Sequence, residues 1–526
     1  MPVRQAGPES QPPSVREWAN QVFSRASGAP LRDGNRVTLL RDASENYPAW
    51  LNAIGSARQT IDFEMYIIHE DAQGQLFADA LLRKAAEGVR VRLLYDWMGG
   101  FHKTSARFWN RLRAGGIDVR CYNSPRFDRP LGWISRDHRK TITVDSSIAF
   151  VTGLCVGRMW AGDPSRGIDP WRDTGIDIRG PAVADVEAAF GEAWAAAGGP
   201  LPDTPRRGTP AAAGDVPLRV VATMPNTAGL FRVDQLVAAM ARTTLWLTDA
   251  YYAGTAAYVQ ALRAAARDGV DVRLLVPGAS DIPLIRPLSR AGYRPLLEAG
   301  IRVFEWNGSM IHAKTAVADG RWARVGSTNL NLASWLGNRE LDVIVEHEPF
   351  AREMEDMYLH DLGNATEVVL QRNRVRVPGA PSRRHGPATS GGGSGGRVAA
   401  GAMRVGNTVA AAVTNTRVLE SVEANIPLIG GAIFALIAAI AFKYPRGVAY
   451  PIGGFLAWLA VALLYRGLQL SRHRKTERDT PDRNGDHNTS PVPAANETHV
   501  RRADGIAGRD STIDSAGLGI RDRAKE

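Results

Sequence analysis

Cysteine, lysine and an export signal are what this chain has least of. Two cysteines, Cys121 and Cys155, stand in 526 residues. That excludes a disulfide framework and a cysteine-rich zinc site, leaves one bridge formally open, and fits a reducing compartment. Of 64 basic residues only seven are lysine, so where a lysine falls is informative. The opening stretch MPVRQAGPESQPPSVREWANQVF has no apolar core and no small-residue cleavage site. Nothing there marks the chain for early export, and the amino-terminal bulk is expected in the cytoplasm. No long uncharged apolar run occurs before residue 426.

Beyond that point two such runs follow closely, IPLIGGAIFALIAAIAF (426–442) and GVAYPIGGFLAWLAVALLY (447–465), separated by KYPR. They predict a transmembrane helical hairpin over 426–466, with a buried hairpin in a soluble domain as the competing reading. Arg466, Arg472, Arg474, Lys475 and Arg478 follow the second run, while the loop offers Lys443 and Arg446. Positive charge stays inside, so both ends of the hairpin and the large upstream region are expected on the cytoplasmic side of a bacterial inner membrane. The formal charge of +10 suits an anionic membrane or a nucleic acid and does not choose between them.

An internal repeat organises the rest. LFADALLRKAAEGVRVRLLYDWMG (76–99) and YVQALRAAARDGVDVRLLVPGAS (258–280) each read as an amphipathic helix, a glycine turn and a strand entering a buried sheet. The fold class is therefore α/β, with two pseudo-symmetric halves. The expected organisation is a lead segment (1–36), a first half (37–200), a second half (216–372), a flexible Gly/Ser-bearing linker (373–425), the hairpin (426–466) and a disordered basic tail (467–526).

Each half carries the same spacing of histidine, lysine and aspartate: His138, Lys140 and Asp145, then His312, Lys314 and Asp319. Chance does not place two matches at equivalent points of a repeat. On a strand, residues two apart share a face, so each half presents an imidazole beside an ammonium. Asp319-Gly320 reads as a two-residue hairpin loop, which pairs Lys314 with Val325 and His312 with Ser327; the same turn at Asp145 sets Gly153 opposite His138. Two His and two Lys brought together suit a phosphodiester. The lysines, with Ser327 and Asn329, hold its oxygens, one imidazole attacks phosphorus and the other protonates the leaving oxygen, with no metal. Turn formation competes with proton transfer as the role of Asp145 and Asp319, and local capping competes with phosphate contact for Ser327 and Asn329. Glu340 is a candidate orienter of a catalytic histidine, or else a surface strand carboxylate.

The paired motifs resemble those of the phospholipase D superfamily. DFEMYIIHEDAQGQLFADALLRKAAEGVRVRLLYDWMG, PWRDTGIDIRGPAVADVEAAFGEAW and GSTNLNLASWLGNRELDVIV resemble bacterial cardiolipin synthases, over roughly residues 37–350. The resemblance implies a phosphohistidine-type intermediate, no cofactor, and transfer of a phosphatidyl group between lipid alcohols. Phosphatidylglycerol is the implied substrate and cardiolipin the product. It favours His138 as nucleophile and His312 as acid then base, although the two-step scheme also works with the roles exchanged. Arg172, Asp173, Tyr66 and Tyr251 match family positions without a role that the sequence supplies. One departure stands out: Thr152-Gly153-Leu154-Cys155 puts a thiol, a weak donor, where the second half has Asn329. The rivals are a phospholipase D-type phosphodiesterase hydrolysing phospholipid or nucleic acid, the nucleic-acid form being the one a membrane hairpin argues against, and a noncatalytic lipid-binding scaffold. Oligomeric state is not readable from the sequence.

Overall fold

The computed structural model describes residues 15–125, 132–201, 210–282, 285–370, 416–419, 435–436 and 439–478. All of its strands lie in the unit Met1–Arg466.

The first half supplies β1 (Arg32–Arg41), β2 (Thr60–Met65), β3 (Arg90–Asp96), β4 (Asp118–Tyr122), β5 (Lys140–Val144), β6 (Ile148–Thr152) and β7 (Thr174–Arg179). The second supplies β8 (Val216–Thr223), β9 (Thr244–Thr248), β10 (Asp271–Pro277), β11 (Arg302–Trp306), β12 (Thr315–Ala318), β13 (Trp322–Gly326), β14 (Glu340–Val345) and β15 (Ala365–Leu370). Reading outward, the first half runs β1-β7-β6-β5-β2-β3-β4 and the second β8-β14-β13-β12-β9-β10-β11, so seven strands recur in one order. The halves join where β1 pairs antiparallel with β8, Arg32 facing Leu218. Thr416–Leu419, inside the stretch expected as a tether, adds β16 parallel to β15.

The repeat read from sequence is the βαβ step of each half. Helix Ala72–Ala86 leads to β3 and helix Ala256–Arg267 to β10, each through a glycine in the left-handed region, Gly88 and Gly269. Asp71 caps the first helix by accepting from the Gln73 and Gly74 amides, and Thr255 caps the second through Tyr258. β3 and β10 lie parallel to their neighbours and are buried over most of their length, which is why their apolar runs lose alternation.

A central core is shared by both halves. Leu39, Val151, Ile176 and helix Val183–Gly198 pack in one cluster with Leu218, Val325, Val343 and helix Glu348–Leu362. The fully buried Arg139 of the first half donates to the carbonyls of Thr223 and Glu340 in the second and of Ala189 in its own. The described part of the expected lead segment, from Val15, is also built in. Helix Val15–Ser27 buries Phe23 in the core of the second half, and Arg219 donates to the Ser24 hydroxyl and the Ala29 carbonyl.

One expectation is corrected. Both motif hairpins have three-residue loops: Ala318 faces Trp322 with Thr315 opposite Val325, and Val144 faces Ile148 with Thr141 opposite Val151. The register is therefore one residue off the pairing of Lys314 with Val325, and Gly153 does not stand opposite His138. The cause is local: Asp145 and Ser146, like Asp319 and Gly320, take consecutive left-handed conformations, and a third residue completes each turn. The apolar hairpin is described only in part. Among the described residues no helix is long and apolar enough to cross a membrane. Helix Pro445–Arg478 contains the second apolar run and continues past Tyr465 into the expected disordered tail, while most of the first run and the tail from 479 lie outside the described residues.

Candidate active site

Each motif histidine sits just before a strand, and the other half fixes it. The His138 amide donates to the Arg339 carbonyl at 2.9 Å, and the His312 amide to the Arg172 carbonyl at 2.7 Å. Directly after each of those arginines comes a carboxylate. His138 Nδ1 lies 2.9 Å from Glu340 Oε2 and 3.1 Å from Oε1, and His312 Nδ1 lies 2.7 Å from Asp173 Oδ2. With both carboxylates accepting from Nδ1–H, each ring keeps Nε2 as its free lone pair. The braces cross: the second half orients the first half's imidazole, and the first orients the second's.

The lysines complete the pair of pairs. Lys140 and Lys314 are almost fully buried, and each ammonium donates to the carbonyl of the histidine two residues before it. Tyr66 and Tyr251 back them symmetrically. The Tyr66 ring lies edge-on to His138 at 4.8 Å and 5.0 Å from the Lys140 ammonium; Tyr251 lies 5.7 Å from His312 and 5.8 Å from Lys314.

Burial, then the charges of Lys140, Lys314 and His312, hold His138 well below its ordinary value; burial and Lys314 bring His312 down to about 4. Both imidazoles are neutral at rest. Burial lowers Lys314 to about 8 and moves Lys140 in the same direction. The two carboxylates differ. Burial alone would raise Asp173, but His312, Lys314 and the Thr174 amide outweigh it and leave it below the usual carboxylate range, whereas for Glu340 burial prevails over Lys140 and the value rises.

The supporting shell breaks the symmetry. Ser327 donates its hydroxyl to Glu340 at 2.6 Å, and Asn338 adds a second donor to that carboxylate at 3.3 Å. At the matching place Gly153 has no side chain, and a Cβ there would collide with the Asp173 carboxylate. Asp173 is held by Trp160 Nε1 at 3.2 Å, and Trp160 and Trp171 both pack on the His312 ring. Asn329 is buried with its Oδ1 unpartnered. Cys155, buried at the equivalent position, is raised by burial and opposed by the Lys140 and Lys314 charges.

Asp145 and Asp319 do not join the constellation. They stand at the far ends of β5 and β12, where Asp145 accepts from the Arg58, Gln59 and Thr60 amides and Asp319 from those of Arg242, Thr243 and Thr244. They clamp the chain entering β2 and β9. Asp173, like Arg172, Tyr66 and Tyr251, is a residue that sequence reasoning left without a role. Its signal was the repeat itself, since Arg172-Asp173 just before β7 answers Arg339-Glu340 at the start of β14. Among the described residues no group of three or more His, Cys, Asp and Glu is placed to hold a metal ion.

Residues 50–156 and 237–362 match the family described as cardiolipin synthase, PLD-like domain. Cardiolipin synthase A of Pseudomonas aeruginosa is 34% identical over 362 residues, covering 67% of this chain and 72% of the relative. The chain belongs to the phospholipase D-like cardiolipin synthase family. Cardiolipin synthase A of Pseudomonas putida is 32% identical over 372 residues, 68% of this chain and 74% of its own. Among solved structures, the phosphatidylserine synthase of Haemophilus influenzae superposes with a TM-score of 0.54 at 15% identity, over 66% of this chain and 91% of that one. That likeness is one of fold. Each of the two matched segments contains one His-Lys-Asp motif of this family member.

Proposed function

We propose that this chain is a membrane-held phosphatidyl transferase that makes cardiolipin from two phosphatidylglycerol molecules. The observation that carries the reading is the pair of neutral imidazoles, cross-braced through Nδ1 over two buried lysines. In the first step His138 Nε2 attacks phosphorus and the bond from phosphorus to the glycerol oxygen breaks; that oxygen takes its proton from the His312 imidazolium, which forms by uptake of a proton from solution at Nε2 as the phosphate anion binds beside it. In the second, a hydroxyl of another phosphatidylglycerol gives its proton to His312 and attacks phosphorus, and the P–N bond to His138 breaks. Lys140 and Lys314 stabilise the charge on the nonbridging oxygens throughout. The ionised Asp173 beside His312 supports the acid–base role there, since it stabilises the imidazolium that forms. Burial and the flanking cations hold His138 below its ordinary value, so its lone pair stays unprotonated, as a nucleophile requires.

The hairpin of 426–466 belongs to this proposal as the anchor. Its support is the two uncharged runs and the exposed Phe442, Ile452, Phe455 and Leu464 of the described helical residues, apolar surface that a bilayer would cover. The arginines after Tyr465 support both ends facing the cytoplasm.

The test is purified protein with phosphatidylglycerol in mixed micelles, without added nucleotide or metal, its lipids read by mass spectrometry. Cardiolipin and glycerol from the wild type, absent with His138→Ala and His312→Ala, is the expected outcome. Phosphatidic acid without cardiolipin would mean that water is the acceptor, a phospholipase D-type hydrolysis.

A further inference from the structure

Large apolar side chains are exposed at scattered points of most proteins, and singly they mean little. Here four of them are tied together beside the histidines. Leu332 and Leu336, 57% and 37% exposed, stand four residues apart, the first at the start and the second within the short helical segment Ala333–Gly337 that leads to Asn338 and Glu340. Ile134, 56% exposed, is brought alongside by the Ser135 hydroxyl donating to the Gly337 carbonyl at 2.7 Å. Met224, 37% exposed, arrives through the Asn226 amide donating to the Leu336 carbonyl at 2.9 Å. The patch is fastened to the site at both margins. Ile134 lies four residues before His138, and Asn331 donates to the carbonyl of Tyr251, whose ring faces His312.

Charge selects the partner. The three segments that make the patch, 132–136, 224–228 and 332–338, contain no acidic residue, and the one charged side chain among them, Arg136, is exposed. An apolar patch with a cationic margin fits the interface of an anionic bilayer, where the apolar groups enter the acyl boundary and the guanidinium meets lipid phosphate.

We propose that Ile134, Met224, Leu332 and Leu336 form a bilayer-docking face that seats the mouth of the catalytic site on the membrane, so that phosphatidylglycerol enters from the leaflet without crossing water. This rests on the phosphatidyl-transfer reading for its purpose, but the docking itself is measured separately. The face sets the orientation of the site toward the lipid.

The experiment uses the full chain. Amide hydrogen exchange is compared in vesicles containing phosphatidylglycerol and in vesicles of phosphatidylcholine alone. Turnover is measured on phosphatidylglycerol vesicles and on a short-chain phosphatidylglycerol dispersed as monomers. Slower exchange at 132–136 and 332–338 in the anionic vesicles is expected. The double variant Leu332→Ser/Leu336→Ser is expected to lose about tenfold or more on vesicles while staying within about twofold on monomeric lipid. Leu359→Ser, an equally exposed position on helix Glu348–Leu362, is expected to change neither. Unchanged exchange at the patch, or an equal loss on both substrates, would overturn the docking face. Protection of the patch in a protein that turns over neither lipid would uphold docking and instead defeat the transfer reading.

Discussion

At the scale of the residue, the protonation states of four side chains set when the site works. Burial brings Lys314 down to about 8, so the free protein gives up that proton at a pH where an ordinary lysine keeps it. Above that point one of two cations that would hold the phosphodiester is neutral. A bound phosphate anion favours the charged ammonium and pushes its value back up. The expected consequence is an alkaline fall in kcat/KM near pH 8 and a fall in kcat at higher pH; a kcat/KM that stays flat to pH 10 would contradict it. On the acid side, His312, held near 4, stays neutral well below the pH at which a free imidazole charges. The orienting carboxylates belong to the same scale. Asp173→Asn keeps the shape but loses the acceptor that fixes Nδ1–H, and a loss of turnover on the order of 10³–10⁴-fold is expected from the analogous change in a hydrolytic triad.

The turn and strand scale separates what the repeated motif means from what it looks like. The aspartates at its end are part of the spacing but not of the constellation: each closes a hairpin and gathers three amides at the start of a neighbouring strand. Asp145→Ala or Asp319→Ala should lower the urea midpoint by the equivalent of about 1–3 kcal/mol while leaving turnover per folded molecule near wild type. Loss of activity without loss of stability would return the aspartates to the chemistry. The repeat, the two α/β halves it implies and the His and Lys pairs were legible because each depends on short-range periodicity and spacing. Loop length was not, since a three-residue turn with two left-handed residues differs from a two-residue one only in how the backbone twists, and either accepts Asp-Gly. The role of Asp173 was hidden for another reason: it reaches His312 across 139 positions of chain, through a contact that exists only when the halves pack. Glu340 was found from the same kind of pattern because its neighbourhood reads as a strand.

For the whole molecule the crossed braces make the halves interdependent. Each half holds a histidine whose backbone and ring are fixed by the other, and the central core is made from both. Neither half is expected to turn over lipid alone. A chain divided in the Pro/Gly-rich connector near residue 207, with the two pieces coexpressed, should recover activity, and activity in either piece by itself would show that the braces are dispensable. The asymmetry between Ser327 with Glu340 and Gly153 with Asp173 gives the two halves different environments within one repeated frame, which is what a nucleophile and an acid–base partner require. The central claim is that the phosphatidyl group rests on His138 between donor and acceptor. Its most direct test is rapid mixing with phosphatidylglycerol, an alkaline quench, and mass spectrometry of the peptide carrying His138. A phosphatidyl adduct on His138 that forms before cardiolipin and is absent in His138→Ala is the predicted result. Cardiolipin accumulating with no adduct on either histidine would contradict the account.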